Sequence, residues 1–208
     1  MTKRTVANNF LYYIFCGFSG AVTSLIVWLF LKLMGLGIGL VWDTIPSNFD
    51  FKFYPIIVCT AGGLILGIWQ KLTNAVPDEL DEVMKKVKKD KFYPYNKVLL
   101  LCISALLPLV FGGPEAGLTG VIVGLCYWAG SHMKDAKSKI PELMQIGISA
   151  TLSAVFYAPL FGLASVNEER LDSEEKPTDI RSTKLISNII AVLFAAGTLF
   201  LLNSIFGG

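Results

Sequence analysis

The chain has one histidine, four cysteines and only 16% charged residues, and each shortage excludes something. Cys16, Cys59, Cys102 and Cys126 fall in separate apolar segments with neither CxxC nor Cys/His spacing, so they read as small buried side chains rather than metal ligands or disulfide partners. His132 stands alone in a polar stretch and receives no role. Gly35-Leu36-Gly37-Ile38-Gly39 has the look of a nucleotide loop, but no strand precedes it, and it is expected to be a turn. With no nucleophile beside a base, no ligand cluster and no such loop, an enzyme is the least supported class, and no cofactor or metal is expected. No basic stretch interleaved with aromatics offers itself to nucleic acid. Acid is scarcest where the chain is most apolar: between Lys97 and Lys134, Glu115 is the only acidic residue.

Apolar residues are abundant. They make up 53% of the 208 residues, and the mean hydropathy is +0.58. That is too apolar for an ordinary soluble domain and long enough for several spans of about 20 residues. An all-α polytopic membrane protein is expected, with residues 1–208 forming a single membrane domain. Phe10 to Met34 reads as a long first helix, retained because no cleavage site follows it. A loop with an interfacial Trp42 follows, and then a second span from Tyr54 to Trp69. Gly63 and Gly67 there form a small-xxx-small pair suited to close helix packing. The polar segment at about 71–97 places Asp78, Glu79, Asp81 and Glu82 before Lys85 to Lys91, an order that suits a short solvated helix on the cytoplasmic face. Ile140 to Val166 is apolar and interrupted at Pro159, a charged cytoplasmic linker covers about 167–184, and Leu185 to Phe206 is the last span.

Val98–Val110 and Ala116–Ala129 are each short for a span and meet at Phe111-Gly112-Gly113-Pro114-Glu115. Two short apolar segments joined by glycine and proline suggest discontinuous helices whose ends meet inside the membrane, with a kinked hairpin as the alternative. A helix starting there directs backbone N–H groups and a partial positive charge ahead of it, which makes an anion site. A carboxylate in an apolar layer normally faces a cavity or pathway. Glu115 is therefore expected to compete with a transported anion for the same donors.

Two stretches together resemble the CLC family of chloride channels and chloride/proton antiporters. Gly113-Pro114-Glu115-Ala116-Gly117 is similar to the family's G-x-E-G-P motif. Ser153-Ala154-Val155-Phe156-Tyr157-Ala158-Pro159-Leu160-Phe161-Gly162, with Glu168-Glu169 after it, is similar to the A-F-N-A-P-L-A-G signature and its acidic pair. The resemblance covers nearly the whole chain, but only the first of two inverted halves of a family member. It implies a half of the CLC inverted-repeat fold, with Glu115 as the gating glutamate and Glu169 as the internal proton glutamate. It also implies an anion held near Asn74, Gly113, Ala116 and Gly117. Thr73-Asn74-Ala75-Val76-Pro77 stands where the family has G-S-G-I-P, and Ala116-Gly117 replaces Gly-Pro. The second half's G-x-F-x-P loop and pore tyrosine have no counterpart.

If the first helix runs outward, only Lys32 and Lys52 of the eighteen Lys and Arg lie outside, a strong positive-inside bias. The expected protein is thus a multi-pass plasma-membrane protein with a cytoplasmic N-terminus. Its expected partners are the lipid membrane, chloride or another small anion such as fluoride, protons, and a homo- or hetero-oligomeric partner supplying the second half. The bias argues against an antiparallel homodimer. A non-transporting scaffold or truncated subunit is the alternative.

Overall fold

The computed structural model describes residues 3–48, 51–112, 117–132, 139–168 and 182–207. Among them every regular element is helical. The first helix, α1, runs Lys3–Ile38 and continues as a wide turn over Gly39–Thr44. It is followed by α2 (Tyr54–Thr73), α3 (Leu80–Lys85), α4 (Val98–Val110), α5 (Leu118–His132), α6 (Ile140–Val155), α7 (Pro159–Glu168) and α8 (Ser182–Phe206). Three helical stretches, Leu11–Thr44, Tyr54–Thr73 and Leu185–Phe206, are long and apolar enough to cross a membrane. At 1.5 Å per residue α4 and α5 reach only about 20 Å, well short of the roughly 30 Å hydrocarbon layer.

The centre of the bundle is α6. Its side chains are buried from Leu143 to Ala154 with the exception of Gln145, as suits a helix enclosed on all sides. By contrast, α1, α2 and α8 expose Phe18, Leu29, Ile56, Leu64, Leu72, Phe200 and Ile205, the composition that faces lipid tails.

Side-chain contacts fix the helix directions. Tyr12 of α1 donates to Glu142 of α6 at 2.8 Å, and Cys16 clusters with Ile146 and Ala191. Further along, Trp28 Nε1 donates to Asn203 at 3.0 Å and Lys32 reaches the Gly207 carbonyl. Hence α1, α6 and α8 run parallel. Gly20 sits directly on the Ala191 backbone, an approach that leaves no room for a Cβ. The other helices oppose them or run with them in turn. Gly62 of α2 lies under the Phe111 ring, and Trp69 Nε1 donates to Ser104 of α4 at 3.0 Å, so α2 and α4 are antiparallel. A Cβ on Gly147 of α6 would stand 2.7 Å from Cys126 of α5, and one on Gly130 would stand 2.8 Å from Ile140, so α5 opposes α6. These directions bring Lys71, Lys85 to Lys97 and Lys139 to the end where α1, α6 and α8 start. Lys32 and Lys52 lie at the other end.

Four expectations need correction. Gly63 and Gly67, expected to be a close-packing pair, meet nothing within 4 Å, and Cys59, expected to be buried, is exposed. Gly35 to Ile38 does not turn but continues α1. Nothing in the segment breaks a helix outright, and Gly37 is used for packing instead: a Cβ there would meet the Val110 side chain at 2.6 Å. The polar segment is not simply solvated either. Val83, Met84, Val87 and Tyr93 are buried in the core, and Asp78 ties the segment down by accepting from Tyr93 Oη and Lys86 Nζ, both at 2.8 Å. Burial, reinforced by the bond to Asp78, raises the Tyr93 pKa, so the phenol stays a neutral donor. Burial alone would lower the Lys86 pKa, but the bonds to Asp78 and Glu82 outweigh it and raise it.

Three outcomes are expected in urea unfolding of the detergent-solubilised protein. Gly20→Ala should lose about 1–3 kcal/mol by forcing α1 off α8, whereas Gly63→Ala, which meets nothing within 4 Å, should be neutral or slightly stabilising. Equal effects at the two sites would contradict the packing. Tyr93→Phe strips a donor from the Asp78 carboxylate and should lose about 1.5–3 kcal/mol; an unchanged midpoint would mean that the bond adds nothing to stability.

Candidate functional site

The interruption between α4 and α5 is flanked by two glycines. After Val110 the chain passes through Phe111 to Gly112 at φ +86°, and it resumes at Gly117 with φ +93°, Leu118 opening α5. Both angles lie in the region where a Cβ is strained. The carbonyl side of the break is anchored firmly. Trp42 Nε1 donates to the Val110 carbonyl at 2.9 Å, Cys59 Sγ approaches the Phe111 carbonyl at 3.6 Å, and the Phe111 ring covers Gly62. These contacts occupy carbonyls that a terminated helix leaves without intrahelical partners.

The α5 side is placed by the segment that follows α2. Pro77 packs on the Cα of Gly117, where a Cβ would collide with its ring and lie 3.4 Å from Ala105. Ala105 is fully buried in the middle of α4, so α5 starts beside the midpoint of its neighbour and not at its end. Pro77 is itself held through adjacent residues. Ser104 Oγ, fully buried, donates to the Ala75 carbonyl at 2.7 Å, and the next residue, Asp78, grips Tyr93 and Lys86. The Tyr93 hydroxyl in turn lies against Gly120 in the first turn of α5. One short segment thus sets the depth and direction of a helix start.

Asn74 ends α2 in the left-handed conformation, φ 49°, its backbone N–H donating to the Gln70 carbonyl at 2.9 Å. Its side chain is exposed, and Lys97 donates to the Thr73 and Asn74 carbonyls at 3.0 and 3.4 Å. Of the residues expected in the site, Asn74 and Gly117 are therefore on neighbouring pieces of chain, linked through Pro77. Gly113, Glu115 and Ala116 lie outside the described residues, as does Glu169. Among the described residues no group of His, Cys, Asp and Glu side chains is arranged to hold a metal ion.

Sequence reasoning did not single out Asp78, Tyr93 or Glu142. The signal for Glu142 was present, because Pro141-Glu142 after a polar stretch is a proline and an acid in a first helical turn. Asp78 offered no such signal, since its partners lie 8 and 15 residues away across a bend.

A family model described as voltage gated chloride channel matches residues 61–208, a span that includes the end of α2, the break and α8. No curated protein and no solved structure matches the chain. The matched span holds the interrupted helix pair, the long apolar stretch Leu185–Phe206 and the later part of Tyr54–Thr73. The chain is a membrane protein that belongs to the voltage gated chloride channel family.

Proposed function

We propose that this chain forms one half of an anion pathway that moves chloride in exchange for protons. The observation that carries this reading is the start of α5 beside buried Ala105, halfway along α4, in a chain of this family. A helix beginning inside the protein turns its N–H groups and dipole towards an anion rather than towards bulk water. In this reading Gly113, Ala116 and Gly117 present backbone donors to the anion, and Asn74 adds a side-chain donor from the exposed surface where a second half would face it. Glu115 acts as a tethered anion that withdraws when protonated. Glu169 passes protons to and from the cytoplasm.

In this reading the chain adopts one repeat of an inverted pair, and a second repeat completes the pathway. The clustering of lysines at the end where α1, α6 and α8 start supports a cytoplasmic N-terminus in the plasma membrane, with residues 1–208 as one membrane domain. The segments at about 71–97 and 167–184 would then face the cytoplasm. The second reading is a non-transporting partner subunit, in which Asn74 serves only as the backbone C-cap of α2.

The test is anion-driven proton flux in liposomes containing the chain, wild type beside Glu115→Gln, under chloride and fluoride gradients. Removing the titratable carboxyl should abolish proton coupling, with the H+/Cl- ratio falling at least tenfold. An unchanged ratio would remove Glu115 from the mechanism, and absence of flux from the wild type would favour the partner-subunit reading.

A further inference from the structure

At the end of the bundle opposite Lys32, α1, α6 and α8 enclose a polar cluster that the anion pathway does not use. Glu142, in the first turn of α6, is half-buried and accepts from Tyr12 Oη at 2.8 Å. From α8, Ser187 and Asn188 face the same place and are only 2% and 7% exposed. Between them lies a cavity of about 10 Å³ lined by Tyr12, Glu142, Gln145, Ile146, Ser187 and Asn188. That volume admits the centre of one water molecule, and the polar lining supplies the partners that a buried water needs. The exposed Lys139 holds its ammonium 3.6 Å from the Tyr12 ring centroid, marking where the cluster reaches solvent. Two turns further along α6, on the face of Glu142, the Ser149 hydroxyl is fully buried and has no hydrogen-bond partner.

A glutamine at 142 could accept the same hydrogen bond from Tyr12 without a charge. What the carboxylate adds is reversible protonation. We propose that Glu142 is a proton-binding site at the cytoplasmic end of the α1–α6–α8 junction, taking up and releasing protons through a water in the adjoining cavity. Uptake forms one O–H bond on the carboxyl group and leaves neutral water where hydronium arrived, and the other carboxyl oxygen keeps the hydrogen bond from Tyr12. Tyr12 is a positioning residue. Among the side chains described, the titratable groups facing Glu142 are Tyr12 and Cys16 from α1 and Lys139 from the turn before α6, and Ser187 and Asn188 of α8, both neutral, line the same cavity. This site rests on the reading of the chain as proton-coupled, and it adds to that reading a carboxylate on a different helix from Glu115 and Glu169.

The experiment combines two readouts on the full chain. In liposomes, Glu142→Gln should lower the protons moved per anion at least tenfold, and Glu142→Asp should retain part of the coupling. In pH-difference infrared spectra of the purified protein, a protonated-carboxyl band should grow in on acidification. That band should be missing from Glu142→Gln and displaced to higher frequency in Tyr12→Phe, which loses the hydrogen bond. An unchanged flux ratio in Glu142→Gln overturns the proposal. Should the wild type move no protons, the transport reading fails and the spectra decide: a band specific to Glu142 and sensitive to Tyr12 upholds the site, and identical spectra in Glu142→Gln overturn it. If Glu142→Gln does not fold, Glu142→Asp and Tyr12→Phe decide by the same band displacements.

Discussion

A helix that stops and restarts within an apolar layer leaves backbone N–H and C=O groups that lipid cannot satisfy, so the interruption survives only where protein covers it. The arrangement around α4 and α5 follows from that requirement. On the α4 side the Trp42 indole takes the Val110 carbonyl and the Phe111 ring closes over Gly62. On the α5 side Pro77 lies across Gly117, and Tyr93 lies against Gly120. The glycines at the break allow the backbone angles, and those at 62 and 120 allow covering groups to come within contact of Cα. The covering groups come from the turn after α1, from Phe111 lying on α2 and from the segment after α2.

The same requirement accounts for the polar segment. A solvated helix would have left the underside of α5 uncovered. By turning Val83, Met84, Val87 and Tyr93 inward, the segment becomes a plug beneath α5, while its lysines remain at the surface. Tying it down takes a carboxylate because two donors, the Tyr93 phenol and the Lys86 ammonium, converge on Asp78. Charge-assisted hydrogen bonds of this kind are stronger than neutral ones, and the bond to a phenol buried at 1% exposure is protected from water.

Long-range order in this fold was readable where it depends on composition and hidden where it depends on pairing. The span Val98–Val110 was readable to the residue, because a lysine precedes it and glycines follow it. The continuation of α1 through Gly35 and Gly37 was not, because glycine marks both turns and close helix contacts, and only the position of Val110 distinguishes them. The break itself announced itself through Gly112, Pro114 and Gly117. What the sequence could not convey is that α5 begins beside Ala105, since this depends on Pro77, forty residues earlier in the chain. Glu142 was overlooked for a related reason: one acid in a long apolar stretch looks like a boundary residue until Tyr12, 130 positions away, is found against it.

Glu115 precedes the first residue of α5 by three positions in the sequence, and Glu142 stands in the first turn of α6. Because α5 and α6 are antiparallel, the positive poles at their starts point in opposite directions along the bundle. A helix dipole contributes about 0.3–1 kcal/mol to a nearby charge, and up to about 2 kcal/mol when partly buried. That is enough to favour a carboxylate or a visiting anion, and too little to hold either permanently. Sites of this strength suit exchange, since a proton on the carboxyl removes the charge that the dipole attracts and frees the pole for a competing anion. In the proposed exchange, the opposed poles offer such a site towards each side of the membrane without inverting any helix. An exchanger needs that geometry before it needs high affinity.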